Sequence, residues 1–344
     1  MTDIARRKLD HIELALTGDV SMATPTGFGR YYFLHEALPE LAPEDIDLST
    51  TFLGRRLEAP FLIASMTGGP ERGADINRHL AQGAQATGVA MGLGSQRIIF
   101  EKPETLRSFQ VAREAGPDVF LIGNIGAVQL NYGFDAAKCA EAVRLVGADG
   151  LYLHLNALQE MVQPEGDTNF RGLKSRIAEV VRSVDFPVLI KEVGSGIGPA
   201  TARALAEMGV AAIDVAGAGG TSWAKIEAHR AEDPAQRSLG EIFGEWGIPT
   251  EVSLRLCREA VPSMPLIASG GIRTGLDAAK AIALGADMVS FAMPLLGPAT
   301  RSGAEVERAI NQLKSELRLA MMLLGAKDLQ ALRACRPLLR EVGS

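Results

Sequence analysis

Hydrophobic positions along this chain gather into eight short runs, separated by stretches in which apolar residues recur three and four apart. The runs are PFLIAS (60–65), GVAMGL (88–93), VFLIGNI (119–125), GLYLHLN (150–156), PVLIKEV (187–193), AAIDVAG (211–217), PLIASGG (265–271) and MVSFAM (288–293). Runs of this length predict buried strands, and the stretches 71–87, 172–184, 198–209 and 274–286 predict helices between them. Alternation of this kind implies parallel strands, and eight units predict a closed (β/α)8 barrel of the TIM type, in the α/β class, over an open sheet. Within 150–156, Leu151, Leu153 and Leu155 point one way and Tyr152, His154 and Asn156 the other, which suits a barrel strand with helices outside and polar groups inside. Gln159 and Glu160 follow just past that strand's C-terminal end, the rim where barrels keep their chemistry.

The same pattern divides the chain. Residues 1–59 read as an N-terminal extension packed on the barrel, with a short amphipathic helix in 1–19 (Ile4, Leu9, Ile12, Leu16) and irregular structure over 20–59. Residues 60–344 read as the barrel, ending in one long closing helix over 300–336. Prolines open or precede the odd strands, and Gly-Val-Ala or Gly-Ala-Asp precedes the even ones. A four-fold βαβα echo and ordinary capping explain this equally well. The connection from 218 to Thr250, after the sixth strand, is much longer than the others and predicts a functional lid.

Composition narrows the partners. A net charge of −6 disfavours nucleic acid or an acidic membrane as the main partner. Cys139, Cys257 and Cys335 are few, odd in number and outside any CxxC or metal-ligand spacing, so the expectation is a cytoplasmic protein with reduced thiols. The N-terminus lacks the apolar run of a signal peptide, and no stretch is long and apolar enough to span a bilayer.

The candidate chemistry sits at the strand ends. In 269–296, Gly270-Gly271 ends the seventh strand and Ala292-Met293 the eighth. A glycine turn lets backbone N–H groups approach an anion, and barrels often hold a phosphate between these two strands. GGIR followed by GAD recurs in barrels that bind flavin mononucleotide (FMN). Neither GxGxxG at a strand–helix turn nor GxxxxGK[ST] is present, which disfavours a dinucleotide fold and a P-loop. Ser65, Met66 and Thr67, then Ser95, Gln96 and Arg97, then Asn124 and Thr221, add polar groups aimed at the same mouth. Lys191 would be costly inside a barrel without an anionic partner. No pair of buried carboxylates is evident.

These residues resemble the type 2 isopentenyl-diphosphate isomerases, which are flavin-dependent barrels. The resemblance runs over nearly the whole chain, through RKLDHIELAL, FLGRRLEAPFLIASMTGG, GSQR, NIGA, LHLNALQE, KEVG, AGGTSWAKIEAHR, WGIPT and SGGIRTG, and MTGG, GSQR and HLNALQE together are specific to that family. It implies isomerisation of isopentenyl diphosphate to dimethylallyl diphosphate, with reduced FMN as acid and base, magnesium on the diphosphate, and NADPH or NADH needed only to reduce the flavin. It implies an FMN cradle of Ser65, Met66, Thr67, Ser95, Asn124, Lys191, Thr221, Gly271, Ile272, Arg273, Ala292 and Met293. Arg7, Lys8, Ser95, Gln96 and Arg97 would hold the diphosphate. His154, Gln159 and Lys191 would be the catalytic groups, with Gln159 also on the substrate, and Glu160 the magnesium ligand. A homo-oligomer, tetramer or octamer, is implied as well.

The rival reading is an FMN barrel oxidoreductase, a 2-hydroxy-acid oxidase or an enzyme like dihydroorotate dehydrogenase. It would need an active-site base and carboxylate-binding arginines, which HLNALQE and the N-terminal RK-x-x-H do not supply. A non-catalytic phosphate-binding barrel is the third possibility, and a flavin spectrum would count against it.

Overall fold

The computed structural model describes residues 11, 13–16, 18–69 and 71–339. Arg7 and Lys8, and most of the helix expected over 1–19, lie outside the described residues; His11 and 13–16 are helical. Eight parallel strands close into a barrel: β1 (Phe61–Ile63), β2 (Ala90–Gly92), β3 (Leu121–Gly126), β4 (Gly150–His154), β5 (Val188–Lys191), β6 (Ala212–Asp214), β7 (Leu266–Ala268) and β8 (Met288–Phe291). Each pairs with the next in chain order, and β8 pairs with β1 through Val289↔Phe61 and Ser290↔Leu62. Seven of the eight strands lie within the expected runs, and β3 passes the end of its own by one residue, Gly126; elsewhere the residues left over at the C-terminal ends form the rim.

The barrel interior is layered by the two-residue strand period. Toward the N-terminal mouth the inward side chains are Leu62, Ala90, Ile122, Tyr152, Leu189, Ala212, Ile267 and Met288, one from each strand, forming a separate apolar cluster. Two residues further along, six strands present a polar group: Asn124, His154, Lys191, Asp214, Ser269 and Ser290. The intervening residues, such as Leu151, Leu153, Ile190 and Ile213, face the helices and join the main core. Six of the eight strands are thus apolar outside, apolar inside below, and polar inside above; β1 and β2 place Ala64 and Gly92 at that upper level.

The extension is more ordered than its sequence suggests. Thr50–Phe52 and Arg55–Leu57 form an antiparallel hairpin. Leu53 and Gly54, at φ 48° and 80°, make its two-residue turn, the positive-φ geometry that matches strand twist. Phe52 and Leu57 join the lower barrel cluster, and Phe52 meets Phe120 edge-on at 6.3 Å. Phe120 immediately precedes β3, so the hairpin stoppers the N-terminal mouth and leaves only the opposite end open. At the other end of the barrel, Ser21 bridges to Thr221 beyond β6.

One expectation gains detail and one needs correction. The long segment after β6, expected as a lid, contains helices Trp223–Arg230 and Pro234–Ile242, capped by Ser222 and Asp233. The C-terminal segment is two helices, Gly303–Met322 and Leu329–Ala334, separated by Gly325 at φ 64°. The first packs on Glu71–Thr87 and on Gly275–Ala283, closing the helical ring where the barrel's first and last units meet. Among the described residues, no helix is long and apolar enough to cross a membrane.

Candidate active site

The open end of the barrel holds a cavity of about 280 Å³. Its wall includes Ser65, Met66, Thr67, Ser95, Arg97, Asn124, His154, Gln159, Glu160, Lys191, Thr221, the Gly271–Arg273 turn and Ala292-Met293. Gln96 is the exception among the expected residues. It is fully buried, its amide donates to the Ala142 carbonyl at 2.8 Å, and its Oε1 accepts the Asn124 N–H at 2.8 Å. With both ends committed in this way, the Gln96 side chain ties β3 to the helical layer and is absent from the cavity wall, which corrects the expectation that it faces the substrate.

On one side of the cavity the backbone itself is the surface. Gly270 and Gly271 have φ of 99° and 72°, the left-handed region that favours glycine. A Cβ on Gly271 would stand 2.2 Å from the Gly219 carbonyl oxygen, so this turn and the one after β6 are pressed together. The Thr250 hydroxyl locks the approach by donating to the Gly270 carbonyl at 2.6 Å. The turn leads into helix Gly275–Ala283, whose N-terminus is capped by Thr274.

The floor is ionic. Lys191 and Asp214 are register partners on β5 and β6, both buried and both in the cavity wall. The Lys191 ammonium donates to the Glu192 carbonyl at 2.6 Å. Asp214 accepts the Ser269 hydroxyl, the Ala216 N–H and the Tyr152 hydroxyl, the last at 3.3 Å. The Glu192 carboxylate turns away and accepts the N–H groups of Val193, Gly194 and Ser195 at 2.5–2.7 Å. Burial pushes both carboxyls up and the lysine down; the charges of the three oppose those shifts. The anticipated absence of a buried carboxylate pair is therefore corrected, although both groups are committed to fixed partners.

His154 stands on β4 beside Lys191. Its Nδ1 lies 2.8 Å from Asn124 Oδ1, and the Asn124 amide is oriented because its Nδ2 donates to the Leu93 carbonyl at 3.0 Å. Nδ1 is consequently the protonated nitrogen, leaving Nε2 an acceptor. Burial and then the Lys191 charge depress the imidazole to about 3, so it is neutral across the physiological range. Unfolded imidazole takes a proton near 6.5. Stability contributed by this site is therefore full above about pH 6.5 and is lost as pH falls from there toward about 3. His154→Gln should flatten the decline of the unfolding midpoint across that window; an unchanged slope would remove His154 as its source.

A second polar group closes the side wall. His11 Nε2 lies 3.1 Å from Glu227 Oε1, which also accepts the Gln159 amide at 3.1 Å, while Arg230 pairs with Glu227 Oε2 at 2.5 Å. Burial alone would raise Glu227, but His11, Arg230 and Gln159 outweigh it and hold the carboxyl at about 2. His11 also meets the Trp223 ring edge-on at 5.1 Å.

The last group surrounds Glu160. Its Oε1 accepts the Asn156 amide at 2.7 Å and its Oε2 accepts the Asp167 N–H at 2.7 Å. The Asp167 carboxylate in turn holds Arg97 Nη1 at 2.5 Å and Gln129 Nε2 at 2.8 Å. Asn156 Oδ1 is buried in the same wall with no hydrogen-bond partner, as are the Ser65 and Ser290 hydroxyls deeper in the barrel. Orphaned polar atoms in a concave wall suit a polar ligand. Hydroxyls and a positive-φ glycine turn fit a phosphorylated flavin, and a carboxylate beside an unpartnered amide oxygen fits a hard cation such as magnesium. Asp214, Glu192, Glu227 and Asp167 escaped the sequence reading, which placed Asn156 on the inner face without giving it a role. Only Asp214 carried a usable signal, two residues after Ala212 on the same strand face.

The profile of a family described as FMN-dependent dehydrogenases matches residues 4–104 and 128–336. An isopentenyl-diphosphate delta-isomerase from Synechococcus sp. is 51% identical over 333 residues, covering 96% of this chain and 95% of that protein. One from Rickettsia bellii is 47% identical over 333 residues, covering 97% of each. Among solved structures, a Pediococcus acidilactici lactate oxidase superposes with a TM-score of 0.73 at 18% identity, covering 98% of this chain and 93% of that one. A mandelate oxidase with (S)-2-phenylpropionate gives 0.68 at 20%, covering 99% and 98%. At such identities these two likenesses speak for the fold.

Proposed function

The chain belongs to the isopentenyl-diphosphate delta-isomerases, within the FMN-dependent dehydrogenase family, and from that premise we propose that it converts isopentenyl diphosphate to dimethylallyl diphosphate. The observation that carries this reading is the state of the cavity's own carboxylates. Asp214 and Glu160 both line the cavity, and each is already hydrogen-bonded to fixed donors. With His154 neutral as well, none of the three is poised to move a proton on and off an alkene. When bound and reduced, FMN supplies that acid–base pair.

The protein's residues then bind, orient and shield. The Gly271 turn, Thr67, Thr221 and the Ala292-Met293 segment would hold FMN, and Lys191 would supply a positive charge to its reduced form. Arg97 and Ser95, with Arg7 and Lys8 from the N-terminal segment, take the diphosphate. Glu160 would hold magnesium, which would supply positive charge to the diphosphate. Gln159 faces the substrate, oriented by Glu227, while Trp223 and His11 wall off water on that side. A nicotinamide cofactor serves only as reductant. The working form is read as a cytoplasmic homo-oligomer, with Cys139, Cys257 and Cys335 as free thiols.

The deciding experiment is anaerobic. Enzyme reduced once should make many equivalents of dimethylallyl diphosphate in the presence of magnesium, with nicotinamide oxidation far below product formation. Product made in deuterated water should carry deuterium at the new methyl carbon. One nicotinamide oxidised per product, sustained over many turnovers, would instead make the chain an oxidoreductase.

A further inference from the structure

Lys191 lies in the floor of the barrel, and its surroundings are unequal. His154 on β4 is neutral, and the Glu192 carboxylate, next in the chain, is consumed by three backbone N–H groups of its own loop. From β6 comes Asp214, the register partner of Lys191, facing the same cavity from the adjacent strand. Asp214 is itself only 2% exposed and is fixed from three directions: Ser269 on the loop after β7, Ala216 on its own strand's extension, and Tyr152 on β4. Tyr152 belongs to the apolar cluster below, so it links this ionic floor to the packed base of the barrel.

We propose that Asp214 is a positioning residue that acts through Lys191: its carboxylate, fixed on the adjacent strand by Ser269 and Tyr152, keeps the ammonium charged, while the Glu192 carbonyl that accepts from the ammonium at 2.6 Å sets its direction. The inference rests on the flavin reading for its consequence, because a charged Lys191 favours the anionic form of the reduced flavin ring. The coupling itself stands on the strand register and on the burial of both charged groups.

The physical reason is the cost of a lone buried charge. An ammonium inside a barrel without a nearby anion loses its proton more readily than it stays charged. The directions of the ionisation shifts agree: burial pulls Lys191 down, and Asp214, ahead of Glu192, opposes it.

The test is a double-mutant cycle of Asp214→Asn, Lys191→Met and the two together, in full-length protein. In flavin-free protein, each single substitution should lower the unfolding midpoint, and the double should recover most of the loss, since no charge is left unpaired. Additive losses would overturn the pairing whatever the protein binds. In FMN-loaded protein, anaerobic spectra of the reduced flavin across pH should show its ionisation midpoint moved upward in Asp214→Asn. The midpoint should move toward that of Lys191→Met, with no further shift in the double variant. A midpoint unchanged or moved downward in Asp214→Asn would show that Lys191 keeps its charge unaided, and the proposal would fall. Absence of bound flavin in the parent would sink the flavin reading and leave the stability cycle to decide the pairing.

Discussion

Glu160→Gln should leave a folded, yellow protein whose activity at saturating magnesium has fallen by about 100-fold or more, since even residues that only support a metal ligand are worth about 10–100-fold. Both Glu160 oxygens accept hydrogen bonds, one from the Asn156 amide and one from the Asp167 N–H. Glutamine has a single acceptor oxygen, so one donor loses its partner whichever way the amide turns. It also loses the negative charge that attracts a hard cation, and a neutral amide is the poorer ligand for magnesium. The disturbance passes through Asp167 to Arg97, because the Asp167 carboxylate holds that guanidinium at 2.5 Å. Magnesium half-saturation and the Michaelis constant for the diphosphate should therefore rise together. Steady-state kinetics as a function of magnesium, with flavin content measured on the same preparation, gives the answer. A variant with the parent's rate and magnesium dependence would free Glu160 from the metal.

Gly271→Val should remove FMN instead of activity alone. The residue sits at φ 72°, where a side chain costs roughly 1–2 kcal/mol, and more when β-branched. A Cβ there would also lie 2.2 Å from the Gly219 carbonyl oxygen and 2.5 Å from Thr26 Cγ2. The first of these atoms is backbone, so rotamer changes cannot relieve the clash; the turn must move away from the loop after β6. That displaces the N–H groups assigned to the flavin phosphate. The expected result is a colourless preparation with affinity for added FMN weakened by at least about tenfold, the equivalent of 1.4 kcal/mol. Far-UV circular dichroism checks that the barrel persists. Gly271→Ala, which adds the same Cβ without branching, should show a smaller loss in the same direction. Full flavin occupancy in both variants would make the turn structural only.

The barrel was readable because its determinants are local and periodic. Alternating apolar and inward-facing positions, eight times over, specify strands whose neighbours are sequential, so strand order and parallel pairing follow from the pattern. The two-residue period even carries the site's layering, with Ile122 below Asn124 and Leu189 below Lys191. Glycine at Gly270 and Gly271 marks the close-approach turn, since few other residues tolerate that backbone. Tertiary structure alone decided which polar side chains are available to a ligand. Gln96 and Arg97 are neighbours in GSQR, yet the first is spent on Ala142 and Asn124 while the second reaches the cavity wall. Glu227 meets His11 from 216 residues away and Gln159 from 68, and Asp167 meets Arg97 from 70. Hydrogen bonds of that span leave no period in the sequence. They depend on which strand ends the closed barrel brings side by side, and a side chain buried with both ends bonded, as at Gln96, is taken out of the cavity wall.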